Sequence, residues 1–392
     1  MKNLLVSFLP FFIVFAVLLS LRKNIDDVFF LNNMETKCAA SDNLYFDNLI
    51  NNPSLEYTLF SGTDSSGVIY MFGSSELTAK SDALPFTFIS KYFKNKLVGV
   101  GHAGNQCFSI YSQLLAHKDK LDKIPVFIIL SPGWFANEGT TSECFLEYNS
   151  PTMMNKILMS EGNDEFKQYQ MKRVSELYPE FVNPDVNFRM MFLEDRANKS
   201  IVNRLFLSPL IYADVFLQNA KQDMFYSRYK NIPFYKNVLR DEHVDLPWDS
   251  LFAASKKEHE ANATNNSWGV NNVYYSTYVN GKTTEMKIQK YEGNTEWQDL
   301  KMLLRLLKAN KVNASFMILP INPYYYTNTK ELTPFISKIN TEVVKTGYPC
   351  LNMWNDDTTT FEKPILNDVM HLSSYGLLTV DQFLVNTYKL AQ

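Results

Sequence analysis

Five short apolar runs, each followed by a turn-forming sequence, constrain the fold of this chain more than any other feature. The runs cover residues 68–72, 96–100, 126–130, 316–319 and 350–354. Their continuous apolar character predicts strands that are buried on both faces, and the helical spacing of apolar residues between them predicts crossover helices. The sequence therefore predicts an α/β fold, a parallel sheet flanked by helices, with binding loops at the carboxyl ends of the strands.

The alternation of strands and helices is interrupted by a long helical segment. It stops near residue 137 and resumes at about residue 295, and the residues between are rich in Met, aromatic residues and helical periodicity, as in 166–177 and 202–225. Residues 241–272 are polar, and residues 262–266 within them predict a loop. We therefore expect a helical insertion, packed as core, at approximately 137–295 of a domain that covers 25–392, with 26–67 as a polar lead-in.

The amino-terminal residues predict a membrane anchor. Residues 4–21 form an uncharged run of 18 residues between Lys2 and Arg22-Lys23. As a helix this run would be roughly 27 Å long, close to the thickness of a bilayer core. The alternative is a cleaved signal peptide, but no small-x-small cleavage site follows the run. We therefore expect a single-pass anchor at 1–24, whose orientation the nearly balanced flanking charges leave open.

Charge and cysteine content exclude some classes of function. The net charge is −3 with a pI near 6.0, so the chain lacks the positive field of a nucleic-acid-binding protein. The four cysteines, Cys38, Cys107, Cys144 and Cys350, are widely spaced and form no CxxC or Cys/His pattern. We expect Cys107 and Cys350 to be buried free thiols. The alternative of a disulfide bond in an oxidising compartment stays open. No metal or organic cofactor is expected.

Two motifs at opposite ends of the chain predict a catalytic triad. Gly73-Ser74-Ser75-Glu76 follows the first apolar run, and Asp368-Val369-Met370-His371 follows the last. A serine on a strand-to-helix turn is a nucleophile position, and Gly73 favours the tight turn, although a serine here also serves as a helix N-cap. An Asp three residues before a His can orient the imidazole as a base.

Ser75, His371 and Asp368 are the predicted triad. Of the five histidines only His371 has an Asp three residues before it, and its loop should reach the sheet edge where the serine turn lies. We favour Ser75 over Ser74 because Ser75 is the first residue of the predicted helix. Backbone N–H groups at this turn, beside Gly73, are candidate oxyanion donors.

Further candidates for the pocket lie at the ends of other predicted strands. The backbone at Gly104 or Asn105, in the loop that begins with His102, is a candidate second oxyanion donor, and a glycine turn with a capping His is the alternative. Trp134 either lines the pocket or is an ordinary buried Trp. Asn322 either binds substrate or caps the following turn.

At these motifs the chain resembles the DltD family, single-anchor membrane proteins of D-alanyl-lipoteichoic acid biosynthesis in Gram-positive bacteria. The resemblance covers the anchor and the segments 72–77, 130–135, 320–322 and 368–372. It implies a variant of the SGNH-hydrolase fold. It also implies that Ser75 is the nucleophile, His371 the base and Asp368 its partner. Gly133 and Pro323 depart from the family pattern and affect the acceptor pocket rather than the triad.

The resemblance also implies a function and a location. The domain would lie outside the cell, at the cell membrane, and transfer D-alanyl groups onto lipoteichoic acid. Its partners would be the membrane, a DltB-type multispanning acyltransferase and a small membrane peptide. Two alternatives stay open: another esterase, thioesterase or O-acetyltransferase that acts on a surface polymer, or a non-catalytic scaffold of the same pathway.

Overall fold

The computed structural model describes residues 43–46, 68–79, 81–136, 139–149, 165–178, 246–288 and 293–390, with isolated positions at 13, 16 and 17 and between 153 and 160. The predicted helical segment at 202–225, Cys38 and almost all of the predicted anchor lie outside these residues. No helix among the described residues is long and apolar enough to cross a membrane.

Six parallel strands form one sheet at the centre of the described domain. The strands are β1 Asn43–Phe46, β2 Val68–Phe72, β3 Lys96–Val100, β4 Pro125–Leu130, β5 Asn313–Ile318 and β6 Cys350–Asn352. Their order across the sheet is β1-β3-β2-β4-β5-β6, and every pair is parallel. The prediction of a parallel α/β sheet is confirmed.

The five predicted strands are present with small shifts of their ends, and one strand was not predicted. β1 pairs with β3 along its whole length, from Asn43 opposite Leu97 to Phe46 opposite Val100. The interpretation of 26–67 as a polar lead-in was therefore wrong at 43–46. A four-residue edge strand has too short an apolar run to stand out from its polar surroundings.

Eight helices of at least seven residues lie along the described part of the chain. They are α1 Pro85–Tyr92, α2 Cys107–Leu115, α3 Ser142–Tyr148, α4 Glu165–Leu177, α5 Trp248–Asn262, α6 Thr295–Ala309, α7 Thr329–Lys345 and α8 Ser374–Tyr388. A short helix, Asn272–Tyr274, continues into a π-helical turn at Tyr275–Val279.

The helices cover both faces of the sheet, because side chains that alternate along each strand point to opposite faces. Phe72, Val100 and Ile128 pack against α2, α6 and α7 on one face. Met71 and Phe127 pack against α1, α5 and α8 on the other. This three-layer arrangement explains why the strand sequences are apolar without alternation.

The structure differs from the predicted elements in two places. The helix expected from Ser75 is only a 3₁₀ turn, Ser75–Thr78, and α1 begins afterwards at Pro85, where a proline is favoured in a first turn. The polar segment at 241–272 contains helix α5, Trp248–Asn262, which was not predicted because its polar sequence has a weak helical period. The loop predicted at 262–266 agrees with the structure, since residues 263–266 are not helical. Within the predicted insertion, α4 lies at Glu165–Leu177, as expected; the limits of the insertion remain a prediction.

The strand order places a crevice beside the end of β2. From β2 the chain crosses to β3 on one side, and β4 then lies on the other side of β2. Phe72 is level with Val100, so β2 and β3 end together; it is also level with Ile128, and β4 continues two residues further to Leu130. Ligands of open α/β sheets bind where the order reverses in this way, at the carboxyl ends of the strands.

Candidate active site

Ser75 lies at this crevice, on the turn that leaves β2, and faces His371. Its Oγ is 3.0 Å from His371 Nε2, although 296 positions separate the two residues in the chain. Ser74 points elsewhere: its side chain is buried and its Oγ donates to the His102 carbonyl at 3.2 Å. The two serines therefore differ in role, and Ser75 is the one within hydrogen-bond distance of a base.

The Asp368–His371 segment forms a tight turn that presents the imidazole to Ser75. Asp368 Oδ2 is 2.8 Å from His371 Nδ1, and Asp368 Oδ1 accepts hydrogen bonds from the backbone N–H groups of Met370 and His371, each at 2.8 Å. The Asn367 N–H donates to the His371 carbonyl and closes the loop. An Asp at the start of such a turn bonds the backbone two and three residues on, which fixes its carboxylate.

These contacts shift both pKa values in the directions that suit an acid–base pair. Burial works to raise the pKa of Asp368, but the hydrogen bond and charge of His371, with the two backbone N–H groups, leave it below its ordinary value. The hydrogen bond to Asp368 raises the pKa of His371, against a smaller effect of burial. Asp368 stays ionised at neutral pH and strengthens the imidazole as a base.

Glu76 also belongs to this site, and the sequence analysis assigned it no role. Its Oε1 accepts a hydrogen bond from the Ser74 N–H at 2.6 Å, and its side chain is buried beneath the turn. Burial raises its pKa to about 7, against the effect of the Ser74 hydrogen bond and of nearby His371. The only signal in the sequence was that one charged residue, Glu76, lies in the short segment between the apolar run that ends at Phe72 and Leu77.

The loop after β3 supports the serine turn from the other side. The Asn105 amide Nδ2 donates to the carbonyls of Gly73 and Val100, at 3.0 and 3.2 Å, and its Oδ1 accepts from Gln113 Nε2 at 2.9 Å. Asn105 therefore ties the end of β2 to the end of β3. The side chain of His102 is exposed, and this residue contacts the turn through its carbonyl.

Some of the predicted oxyanion donors already donate a hydrogen bond within the protein. The Gly73 N–H donates to Val100 and the Asn105 N–H donates to His102. Gly104 has a φ of +94°, and a Cβ there would lie 2.5 Å from Cys144 Sγ, so glycine is required. Of the predicted positions, the backbone N–H groups of Ser75 and Gly104 are the candidates that remain.

Trp134 and Asn322 have structural contacts that match the alternatives left open for them. Trp134 is 5% exposed and belongs to the main hydrophobic core. Asn322 is fully buried; its Nδ2 donates to the Trp268 carbonyl at 3.0 Å, and its Oδ1 accepts from the N–H groups of Tyr324 and Tyr325. Asn322 therefore caps its turn, as one of the two interpretations expected.

Asn322 also connects the site to a segment that sequence analysis overlooked, residues 264–288. Its N–H donates to the Val369 carbonyl, and the Asn271 N–H donates to the Asn367 carbonyl at 2.9 Å. A small hydrophobic cluster fills the space between this segment and the Asp368 loop: Val270, Val279, Met286, Ile321, Tyr326, Leu332 and Val369. The segment thus supports the loop that carries Asp368 and His371.

A second cavity, of about 850 Å³, lies beside Gly104 in the loop that follows β3. Thr140, Thr141, Cys144 and Arg173 line it. The Arg173 guanidinium already donates to Asp299 and to Glu176, so its charge is compensated within the protein. The cavity has both polar and apolar lining, and its arginine offers no uncompensated positive charge to an anionic ligand.

The described residues contain three free cysteines and no candidate metal centre. Cys107 is buried, as predicted, whereas Cys144 and Cys350 are partly buried. In the same part of the chain, no group of three or more His, Cys, Asp or Glu residues could hold a metal ion. The chemistry that the site can perform with its own groups is attack by a serine hydroxyl, with an imidazole as base.

Comparison with known proteins gives a consistent match over most of the chain. The family model described as DltD protein matches residues 47–389. Protein DltD of Staphylococcus aureus is 23% identical over 329 residues, which cover 80% of this chain and 78% of that protein. Protein DltD of Bacillus subtilis is 23% identical over 347 residues, which cover 81% of this chain and 82% of that protein.

Proposed function

Because this chain belongs to the DltD family, whose proteins take part in D-alanyl lipoteichoic acid biosynthesis, we propose that it is a serine-dependent acyltransferase of that pathway. Ser75 would be the nucleophile, His371 the base and Asp368 the group that orients the base. The observation that carries the proposal is the continuous chain of contacts from Ser75 Oγ to His371 Nε2, at 3.0 Å, and from His371 Nδ1 to Asp368 Oδ2, at 2.8 Å.

The first half of the proposed reaction forms an acyl-enzyme. His371 Nε2 takes the proton from Ser75 Oγ, and Oγ attacks the carbonyl carbon of a D-alanyl ester donor. Backbone N–H groups of Ser75 and Gly104 stabilise the oxyanion of the tetrahedral intermediate. The intermediate collapses when the donor oxygen or sulfur leaves with the proton from His371, and the D-alanyl group stays on Ser75 as an ester.

The second half transfers the group to the polymer. A hydroxyl of lipoteichoic acid gives its proton to His371 and attacks the Ser75 ester. The intermediate collapses, the new ester leaves with the polymer, and Ser75 Oγ regains its proton from His371. The neutral imidazole is restored, so no net proton or cofactor is consumed.

We place this reaction at the outer face of the membrane, on a domain held by the anchor at 1–24. The donor side would involve a DltB-type multispanning acyltransferase and a small membrane peptide. The support for the anchor is the uncharged run at 4–21, and the support for the partners is family membership.

The test compares Ser75→Ala with Ser74→Ala. Both serines lie on the same turn, but only Ser75 reaches His371. The D-alanine content of lipoteichoic acid should fall to the level of a deletion strain in cells with Ser75→Ala and should persist in cells with Ser74→Ala, with equal amounts of each protein in the membrane. Normal D-alanylation with Ser75→Ala would rule out the mechanism and favour a scaffold, and a different acyl group trapped on Ser75 would identify another acyltransferase.

A further inference from the structure

The carboxyl group of Glu76 occupies a position that a surface glutamate could not reach. Glu76 follows the candidate nucleophile directly, yet its side chain turns back under the chain, so that Oε1 is 2.6 Å from the Ser74 nitrogen. The residue is only 6% exposed. A carboxyl group is thus held inside the protein by the backbone of the turn that carries Ser75.

Gly73 is required by this arrangement. A Cβ atom on Gly73 would lie 2.6 Å from Glu76 Oε1, closer than real Cβ contacts allow, and 3.2 Å from the Leu77 side chain. The glycine that precedes the serines therefore makes room for the glutamate. This contact gives the Gly73-Ser74-Ser75-Glu76 sequence a physical reason beyond the tightness of the turn.

The field of Glu76 reaches His371. His371 contacts Ser75 through Nε2 and Asp368 through Nδ1, and the charge of Glu76 also raises the pKa of His371. In turn, the charge of His371 lowers the pKa of Glu76. The other histidine near this turn, His102 on the loop after β3, has an exposed side chain. Because burial raises the pKa of Glu76 to about 7, Glu76 adds its negative charge mainly above that pH, whereas Asp368 is ionised at neutral pH.

We propose that Glu76 is a positioning residue of this site, which fixes the Ser74–Ser75 turn through the Ser74 amide and adds a second negative charge to the field around His371. The proposal rests on the proposed function insofar as Ser75 is the nucleophile. When His371 takes the proton from Ser75, the imidazolium that forms is stabilised by Asp368 through contact and by Glu76 through its charge. Neither the proton nor the acyl group passes through Glu76.

The variant that isolates the charge is Glu76→Gln. The Gln amide oxygen can still accept from the Ser74 N–H, so the turn keeps its hydrogen bond, but the negative charge is lost. A purely structural role for Glu76 predicts no change in the reactivity of Ser75. A role in the field around His371 predicts a weaker base, with both a lower pKa and a slower maximal rate.

The experiment measures phosphonylation of Ser75 by a fluorophosphonate probe in the detergent-solubilised full chain, from about pH 5 to pH 9. In this reaction Ser75 Oγ displaces fluoride from phosphorus while His371 takes the serine proton, so no D-alanyl donor is needed. For Glu76→Gln we expect the rise in rate to move to lower pH by about 0.5–1 unit and the maximal rate to fall about 3- to 10-fold. Glu258→Gln, on the exposed face of α5, is the matched control and should match the wild type.

The outcomes separate this inference from the proposed function. If wild-type protein reacts at Ser75 and Glu76→Gln gives the same midpoint and maximal rate with the same melting temperature, the inference is overturned and the triad stands. If Ser75 does not react in wild-type protein, the proposed mechanism itself fails. If Glu76→Gln does not fold, the dependence of the wild-type phosphonylation rate on pH decides. Two ionising groups in that dependence support the inference, and a single ionising group overturns it.

Discussion

The two oxygens of Asp368 have different tasks. Oδ1 accepts from the N–H groups of Met370 and His371, and Oδ2 contacts the imidazole Nδ1 of His371. The backbone contacts hold the carboxylate in one orientation, and the remaining oxygen selects the tautomer with the proton on Nδ1. Nε2 of His371 is then left as an acceptor for the Ser75 proton.

Asp368→Asn should separate these two tasks. The amide oxygen can keep the backbone contacts, but an NH₂ group then faces Nδ1 and favours the wrong tautomer of His371. We expect the rate of Ser75 phosphonylation to fall by about 10²- to 10⁴-fold, with a melting temperature close to that of the wild type. Asp122→Asn, at an exposed turn, is the control; a rate close to wild type in Asp368→Asn would show that Asp368 does not orient His371.

How far the sequence predicts the site depends on which group acts. Ser75, His371 and Asp368 could be selected because chemistry restricts the residue types and because strand ends converge at one edge. Glu76 and Asn105 could not be selected in the same way. Their roles arise from burial and from contacts with backbone carbonyls and amides, and these depend on the path of loops that no local pattern specifies.

At the scale of elements, sequence patterns predict the strands that are buried on both faces of the sheet. They fail to predict a strand or helix that is short or polar. Strands β2 to β5 have long apolar runs and were predicted closely. Strand β1 has only four residues. Helix α5 contains a Lys-Lys-Glu-His-Glu stretch and buries little, so its period is weak. Its place is determined by packing against α8 rather than by its own amphipathicity.

Helix α4 is held to α6 by a buried ion pair. Arg173 donates from Nε and Nη2 to the two oxygens of Asp299, at 2.8 and 3.1 Å, and Tyr169 OH donates to the same carboxylate at 2.6 Å. The side chains of Arg173 and Asp299 are 5% and 0% exposed. Because both charges are removed from water, each depends on the other.

Arg173→Met should therefore destabilise the protein more than the loss of an ordinary ion pair. We expect a loss of about 3–5 kcal/mol in the free energy of unfolding, because Asp299 is left buried without a counter-charge. The double variant Arg173→Met with Asp299→Asn should recover part of this loss. Lys172→Met, on the same helix at a side chain that is 70% exposed, is the control; equal effects of Arg173→Met and Lys172→Met in denaturant titrations would contradict the role of the pair.

At the scale of the whole molecule, the parallel sheet brings together residues from distant parts of the chain. Ser75 follows β2 and His371 follows β6, and the order β1-β3-β2-β4-β5-β6 puts the reversal beside β2. Sequence analysis could predict that the strand ends share one edge. It could not predict the strand order, because apolar runs of similar composition are interchangeable as sheet neighbours, nor the way that residues 264–288 fold back to support the Asp368 loop.

The folded molecule also carries buried acids whose pKa values are raised. Burial, aided by the charge of Asp299, raises the pKa of Glu296 to about 8, while its Oε1 accepts from the Cys107 N–H at the start of α2 at 2.8 Å. Burial raises the pKa of Glu76 to about 7 and that of Asp381 well above its usual range. The folded protein therefore keeps these protons at pH values where the unfolded chain has released them.

This difference makes stability fall as pH rises. Between the ordinary glutamate pKa of 4.5 and the raised value, the folded state binds more protons than the unfolded state, so the free energy of unfolding decreases with pH. Burial lowers the pKa values of His117 and His259, so these two histidines make the free energy of unfolding rise with pH. Their effect ends above about pH 6.5, where both histidines are neutral in the folded and in the unfolded protein. Above pH 6.5, His371 adds a decrease of the same sign, because its pKa is raised in the folded state. The contribution of one buried acid is therefore obtained from the difference between the wild type and a variant in which that acid cannot titrate.

Glu296→Gln tests this account of the whole molecule. The Gln amide oxygen can still accept from the Cys107 N–H, but the residue no longer titrates. We expect the free energy of unfolding of the wild type to fall between about pH 6.5 and 8 with a contribution from Glu296 of up to about 1.4 kcal/mol per pH unit, and this contribution to be absent in Glu296→Gln. Denaturant titrations of the full chain at the two pH values measure it, with Glu258→Gln, an exposed helical glutamate, as the control. Because the variant avoids ionising a buried carboxyl group, it should gain stability relative to wild type as pH rises, and parallel pH dependences of the two proteins would show that Glu296 is not a proton reservoir of the folded state.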